Sequence, residues 1–303
     1  MKIHTHVAAF LIGLALCGAD VVSQPVFTSG MYGGMRARAL GPAVMSGRIS
    51  DLAVTTQRPN TVWVGAAGGG VWKSTNSGTT FTPVFDDYAQ SIGAITIDQQ
   101  RPDTVWVGTG ESWTRNSVSI GDGVYRTTDG GTSWVNVGLP RSERIGMITI
   151  DPKRPQRVFV AVTGALFSDS EERGLYRTTD FGQTWSRVLF TNARSGATDV
   201  IVDPKNPNIV WASMWEFRRT PYSFSSGGPG SGLFRSTDGG TTWSRVTNGF
   251  PTGDLGRIAI AMSPSKPSVM YANVESKETA LYRSSDGGKT WQRRFDGMAS
   301  SLR

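Results

Sequence analysis

The chain has 303 residues, 38% of them hydrophobic, and a formal net charge of +7 from 31 Lys and Arg against 24 Asp and Glu. Its two histidines, His4 and His6, and its single cysteine, Cys17, all lie within the first 23 residues. Once that segment is removed, disulfides, thiol chemistry and histidine-based metal centres are excluded. We therefore expect no metal and no cofactor.

Residues 1–23 have the features of a signal peptide. Lys2 supplies the positive start, residues 7–16 form an apolar core, and cleavage is expected after Ala19 or Ser23. The core is too short to span a membrane. Residues 14–17 loosely resemble a bacterial lipoprotein signal, but Leu16 is too large for the position before a lipidated Cys17. We predict a secreted, periplasmic or cell-surface bacterial protein, not anchored at Cys17, with a mature domain over residues 24–303.

Five copies of one eight-residue pattern, Ser/Thr-x-Asp-x-Gly-x-Thr-Trp, dominate the rest of the chain. They begin at residues 74, 127, 178, 236 and 284, and the first departs from the pattern with Asn for Asp and Phe81 for Trp. Their third positions, 53, 51, 58 and 48 residues apart, are Asn76, Asp129, Asp180, Asp238 and Asp286. A repeat of this period indicates one structural unit that is stacked several times. The carboxylate closes a turn, the glycine permits a positive φ, and the Trp buries a flat face.

Each period contains two predicted hairpins. Alternating apolar residues flank a first turn of the type Asp-Pro-x-x-Pro, as at residues 151–155 and 203–207, and the eight-residue pattern forms the second turn. Four short antiparallel strands, A to D, repeated about an axis make a β-propeller blade. We predict an all-β propeller with about five visible blades. Either five blades close the ring, with residues 26–40 as an outer strand, or the chain is the N-terminal part of a longer protein, which we favour.

The repeated pattern resembles the Asp-box, or BNR repeat, of sialidases, some xyloglucanases and the sortilin propeller. The resemblance covers roughly residues 46–295. Residues 41–50, 107–111 and 248–258 also resemble the N-terminal part of longer secreted bacterial proteins described as sortilin-like or glycosyl-hydrolase-like. In Asp-box families the box lies away from the active site, so the resemblance implies a structural role for all five box residues.

The loops between strands B and C are long and unlike one another, at residues 109–122, 163–173, 214–231 and 274–279. Variable loops on a uniform scaffold carry function, so we expect the site on the B–C and D–A face. Glu111 and Glu216 follow B strands, each beside a Trp (Trp113 and Trp215). With Asp122 they are candidate acids of a glycoside hydrolase, which needs two facing carboxylates. The alternative is that surface loops contain such residues anyway.

Two family patterns are only partly met. The xyloglucanase resemblance implies a catalytic Asp before the Gly-Gly of an early blade, where this chain has Ala67. The sialidase resemblance implies an Arg-Ile-Pro motif, which does not occur. Arg48, Arg144 and Arg257 precede A strands and could bind a carboxylate together. They could equally pair with Glu143, Asp199 and Asp254.

A binding module is the function that we predict. Residues 215–224 combine aromatic and Arg side chains, the types that dominate binding energy at interfaces, and include Trp215 and Arg218. Trp113 and Arg115 add to this face, although residues 215–224 could instead cover a blade edge. The partner is predicted to be a protein, peptide or glycan, and polysaccharide hydrolysis is the alternative. Nucleic acid is not expected, because the basic residues form no dense run, and a membrane span is not expected, because no apolar run is long enough. Four of them recur before the boxes, at Arg126, Arg177, Arg235 and Arg283.

Overall fold

The structure, a computed structural model, describes residues 48–296. The predicted signal peptide, Cys17 and the proposed outer strand at residues 26–40 lie outside the described residues. The described part is built from 21 strands and contains no helix. The all-β prediction is therefore confirmed.

The strands form five sheets, one for each predicted blade. Blade 1 contains β1 (Ile49–Val54), β2 (Val62–Ala66), β3 (Gly70–Ser74) and β4 (Thr82–Pro83). Blade 2 contains β5 (Ile92–Ile97), β6 (Val105–Thr109), β7 (Val124–Thr127) and β8 (Val135–Gly138). Blade 3 contains β9 (Ile145–Ile150), β10 (Val158–Val162), β11 (Gly174–Thr178) and β12 (Ser186–Leu189). Blade 4 contains β13 (Ser195–Val202), β14 (Val210–Arg219), β15 (Phe224–Ser226), β16 (Gly232–Ser236) and β17 (Ser244–Arg245). Blade 5 contains β18 (Ile258–Met262), β19 (Met270–Val274), β20 (Ala280–Ser284) and β21 (Gln292–Asp296).

In each blade four strands form an antiparallel meander, which in blade 4 runs β13, β14, β16 and β17. The first strands of successive blades pack against each other in chain order, from β1 through β5, β9 and β13 to β18. Buried aliphatic and aromatic clusters fill the spaces between sheets. The predicted four-stranded blades of a β-propeller are confirmed, and blade 4 adds a fifth strand, β15, beside β14.

The Asp-box turns are closed by their own side chains. In the second box, Asp129 Oδ1 accepts hydrogen bonds from the Thr127 hydroxyl at 2.7 Å and the Ser133 amide at 3.0 Å, and Oδ2 accepts from the Ser133 hydroxyl at 2.6 Å. These bonds favour the carboxylate and hold the pKa of Asp129 well below its usual range. Asn76 makes an equivalent turn, since its Oδ1 accepts from the Thr80 amide at 2.9 Å.

The boxes also join neighbouring blades. The Trp134 ring of the second box stands edge-on to Trp63 of blade 1 with ring centroids 6.1 Å apart, and Trp185 meets Trp106 in the same way at 6.4 Å. Lys73 lies opposite Trp63 on the neighbouring strand, and Arg126 lies opposite Trp106. Each cation donates to a backbone carbonyl of the next box, at 2.7 and 2.6 Å. Basic residues before the boxes therefore serve blade-to-blade contacts.

Candidate functional site on the loop face

Two connections between B and C strands meet through a small apolar cluster. Residues 110–123 follow β6, and Val118 from this loop packs against Leu166, Trp215 and Phe217 of blades 3 and 4. A polar contact runs beside the cluster, in which Arg219 Nε donates to Asn116 Oδ1 at 2.8 Å. The loop of blade 2 is thereby fixed to blade 4, which gives this face a defined shape.

Half of the segment predicted as a long loop at residues 214–231 is strand, so that prediction is wrong for residues 214–219 and 224–226. β14 continues to Arg219 and pairs with β15. The reason is that Trp215, 1% exposed, and Phe217 stack on each other in the apolar cluster, with centroids 4.4 Å apart. Of the aromatic side chains of residues 215–224, only Tyr222 at the hairpin tip is fully presented to solvent, at 95% exposure.

Glu111 lies buried directly after β6. Its side chain is 2% exposed, and its two oxygens accept from Arg48 Nε at 2.8 Å and Nη2 at 2.7 Å. Its amide donates to the Ser91 hydroxyl at 2.9 Å. Arg48 and Glu111 therefore join the entry of blade 1 to blade 2, and both carboxylate oxygens are occupied.

Glu216 and Asp122 each accept hydrogen bonds from nearby residues. Glu216 is buried in β14, and its Oε2 accepts from the Gly230 amide at 3.0 Å and the Asn192 side chain at 3.1 Å. Asp122 is exposed and accepts from the Tyr125 hydroxyl at 2.7 Å. Glu111 and Glu216 lie in different hydrogen-bond networks, so each side chain has a local structural task.

Three of the predicted ligand-binding arginines have different environments. Arg144 is buried and forms an ion pair with Glu143 at 2.9 Å, and burial lowers its pKa while Glu143 opposes that shift. Arg218 pairs with Asp169 and donates to the Phe167 carbonyl at 3.1 Å. Arg115 is exposed on the 110–123 loop. Of these, only Arg115 is open to solvent.

Arg257 and Trp113 form the accessible part of the face. The Arg257 guanidinium lies between two indoles, with its Cζ 5.6 Å from the Trp113 ring centroid and 5.4 Å from that of Trp215. Trp113 comes from blade 2, Trp215 from blade 4 and Arg257 from the entry to blade 5. Both Trp113 and Arg257 are partly exposed. The structure thus brings three of the predicted site residues together.

Asp199 is a residue of this region that loop-based reasoning missed as a site candidate. It lies on β13 at an irregularity between Ala197 and Asp199, is 9% exposed, and accepts from the Ile260 amide of the next blade at 3.0 Å. Its Oδ1 is buried without a hydrogen-bond partner among the described residues. Burial raises the pKa of Asp199 to about 6, and the Arg257 charge opposes the shift. The sequence feature that could have identified Asp199 is a carboxylate within an otherwise apolar inner strand.

Metal and membrane features are not found in the described part of the chain. Residues 48–296 contain no group of three or more His, Cys, Asp or Glu side chains placed to hold a metal ion. The same residues contain no helix that could span a membrane.

Two family models match the chain. The model described as Sortilin, neurotensin receptor 3, matches residues 69–195, and the BNR/Asp-box repeat matches residues 234–245 and 282–293. A xyloglucanase of Acetivibrio thermocellus is 29% identical over 238 residues, which cover 71% of this chain and 26% of the relative. A xyloglucanase of a Paenibacillus species is 28% identical over 188 residues, covering 54% and 16%.

Solved structures agree in fold. The GH74 xyloglucanase from Xanthomonas campestris has a TM-score of 0.59 at 20% identity, covering 82% of this chain and 38% of that one. An ancestral GH74 enzyme has a TM-score of 0.62 at 20% identity, covering 82% and 31%. The chain spans less than two fifths of the length of each of these relatives. The boxes, the blades and these matches together support an Asp-box (BNR-repeat) β-propeller.

Proposed function

We propose that this propeller binds a polysaccharide on its loop face, as part of a glycoside hydrolase-like protein. The observation that carries the proposal is Trp113, a partly exposed indole that Arg257 holds at the meeting point of blades 2, 4 and 5. The apolar C–H face of a sugar ring can pack on such an indole, while the polar tips around it bind hydroxyl groups. The similarity to xyloglucanases makes xyloglucan one of the polymers to test.

Hydrolysis is the second candidate, and the named relatives favour it. Asp199 is the best general acid among the described residues, because a carboxyl group with a pKa of about 6 keeps its proton at mildly acidic pH, where an ordinary carboxyl group is ionised. A second carboxylate within about 5 to 9.5 Å would be required. Ala67, buried after β2, supplies no carboxylate at the position where the xyloglucanase resemblance implies one. We therefore place binding first.

Recognition of a protein or peptide stays a prediction from the sequence. The aromatic side chains on which it relied most, Trp215 and Phe217, are buried in the apolar cluster. Location outside the cell also stays a prediction, since it depends on the leader at residues 1–23. Both are consistent with polysaccharide binding but are not needed for it.

The test is affinity electrophoresis of the full chain in gels that contain xyloglucan, mixed-linkage glucan, xylan or pectin. We expect retardation by at least one polymer. Trp113→Ala should weaken that binding about 10-fold, the effect of losing roughly 1.4 kcal/mol of contact. Tyr222→Ala is the matched control, because this aromatic side chain is also exposed but lies at the hairpin tip.

Each outcome bears on one of the two candidates. Equal losses in the Trp113 and Tyr222 variants, or binding unaffected by Trp113→Ala, would overturn the placement of the site. Release of reducing ends that disappears in Asp199→Asn would establish hydrolysis. Binding without such release would support a binding role alone.

A further inference from the structure

Arg48, Arg144 and Arg257 each lie directly before the first strand of a blade. They differ in their ion-pair partners. Arg48 has Glu111 at 2.7 Å, and Arg144 has Glu143 at 2.9 Å. The Arg257 side chain forms no ion pair and no hydrogen bond with any described residue, although the charges of Asp199 and Glu275 act on it, and its ring contacts are with Trp113 and Trp215. Its five N–H donors therefore have no acceptor among the described residues.

The position of Arg257 is fixed even though its side-chain donors have no described acceptor. Its amide donates to Glu275 Oε2 at 2.9 Å, and the Glu275 amide donates back to the Arg257 carbonyl at 3.0 Å. The same Glu275 oxygen accepts from the Ser226 hydroxyl at 2.7 Å, and Ser226 in turn accepts from Trp215 Nε1 at 2.9 Å. One chain of hydrogen bonds thus fixes the backbone of Arg257 and the indole of Trp215. A ligand would meet a preorganised guanidinium, which reduces the entropy lost on binding.

The electrostatic surroundings leave Arg257 positively charged. Burial lowers its pKa from a very high starting value, and the negative charges of Asp199 and Glu275 oppose that shift. Neither carboxylate lies within ion-pair distance of the guanidinium. Glu275 is committed to Ser226 and to the Arg257 amide.

We propose that Arg257 is a subsite for the carboxylate of a uronic acid unit, so that the polysaccharide bound on this face is an acidic one. This inference depends on the proposed function, since Trp113 would contact the sugar ring while the neighbouring guanidinium binds its carboxylate. The planar fork of Arg matches a carboxylate through two parallel hydrogen bonds, and a neutral polymer offers only hydroxyl groups. The net charge of +7 would also favour the approach of a polyanion.

The experiment compares one uronate-containing oligosaccharide with its carboxyl-reduced form, by calorimetric titration of the full chain. We expect the wild type to bind the intact form at least 10-fold more tightly. Arg257→Met removes the charge and keeps an apolar side chain beside the indoles, so the ratio of the affinities for the two forms should fall to about one. Lys277→Met is the matched control: it also removes one positive charge, from an exposed side chain on the connection between β19 and β20, and should retain the preference.

Other results would overturn the inference in distinguishable ways. Equal wild-type affinity for both forms would reject the carboxylate subsite and leave polysaccharide binding intact. Loss of binding to both forms in Arg257→Met, with a lowered unfolding midpoint, would assign a structural role to this side chain. Arg257→Lys then distinguishes the structural role from the carboxylate subsite. Lysine keeps the positive charge but not the planar fork, so the subsite predicts that this variant loses most of the preference. Wild-type failure to bind either form would overturn the proposed function as well.

Discussion

At the scale of single residues, Asp199 is the most unusual group in the described chain. Its carboxylate lies on an inner strand and is shielded from water. One oxygen accepts a hydrogen bond from the next blade, and the other has no hydrogen-bond partner among the described residues. Asp51 occupies the corresponding irregularity in blade 1, where it accepts from the Ile95 amide at 2.9 Å, and burial raises its pKa too. Both residues link neighbouring inner strands at an electrostatic cost.

Asp199→Asn should change the pH dependence of stability. The pKa of Asp199 is about 6 in the folded protein and about 3.9 in an unfolded chain. A raised carboxyl pKa contributes stability that is present below pH 4 and is lost as the pH rises through 6. Asn keeps an oxygen for the Ile260 amide but cannot ionise. At pH 8 we expect the variant to be about 2 kcal/mol more stable relative to wild type than it is at pH 4.

Urea unfolding of both proteins at pH 4, 6 and 8 measures this difference. Thr198→Ser, a neighbouring buried change without a titrating group, is the comparison variant. A stability difference between Asp199→Asn and wild type that does not vary with pH would show that Asp199 does not titrate in this range.

At the scale of elements, the Asp-box is a turn whose side chains replace backbone hydrogen bonds. In the fourth box, Asp238 accepts from the amides of Thr241 and Thr242 at 2.9 Å and from the Thr242 hydroxyl at 2.6 Å. These bonds hold the pKa of Asp238 far below its usual range. Asn76 shows that an amide can close the same turn.

Asp238→Asn should therefore be tolerated better than Asp238→Ala. The amide keeps the acceptor for the Thr242 amide, whereas alanine leaves the turn amides without a side-chain acceptor. We expect a clearly larger fall in melting temperature for the alanine variant than for the asparagine variant, measured by thermal unfolding at pH 7. Equal falls would mean that the negative charge, and not the acceptor geometry, stabilises the turn.

The sequence predicts these elements well because each is specified locally. A box has its turn former, glycine and Trp within eight residues, so five boxes at a regular period give the strands and blades. The hairpin of β14 and β15 could not be predicted this way, because Trp215 and Phe217 are buried against Leu166 and Val118 from other blades. The candidate site has the same difficulty. Trp113 and Arg257 were identifiable as loop residues. Contacts between blades decide that Arg48 has an ion-pair partner, whereas Arg257 has none among the described residues.

At the scale of the whole molecule, the boxes couple one blade to the next. The fifth box position is always glycine with a positive φ, including Gly78 (φ 83°) and Gly288 (φ 77°). A Cβ on Gly288 would lie 2.2 Å from the Trp211 ring of blade 4. A Cβ on Gly78 would meet only Phe81 of its own box among the described residues, at 3.7 Å. The two glycines share backbone strain and differ in their packing against a neighbouring blade.

This pair separates turn strain from blade coupling. Gly78→Ala should cost about 1 kcal/mol, the penalty for a Cβ in the left-handed region. Gly288→Ala should cost that amount and about 1 to 3 kcal/mol more, because overpacking must displace the buried Trp211 ring. Urea unfolding of the two variants gives the difference directly. A larger cost for Gly288→Ala would show that box glycines transmit stability from blade to blade, and equal costs would confine their role to the turn.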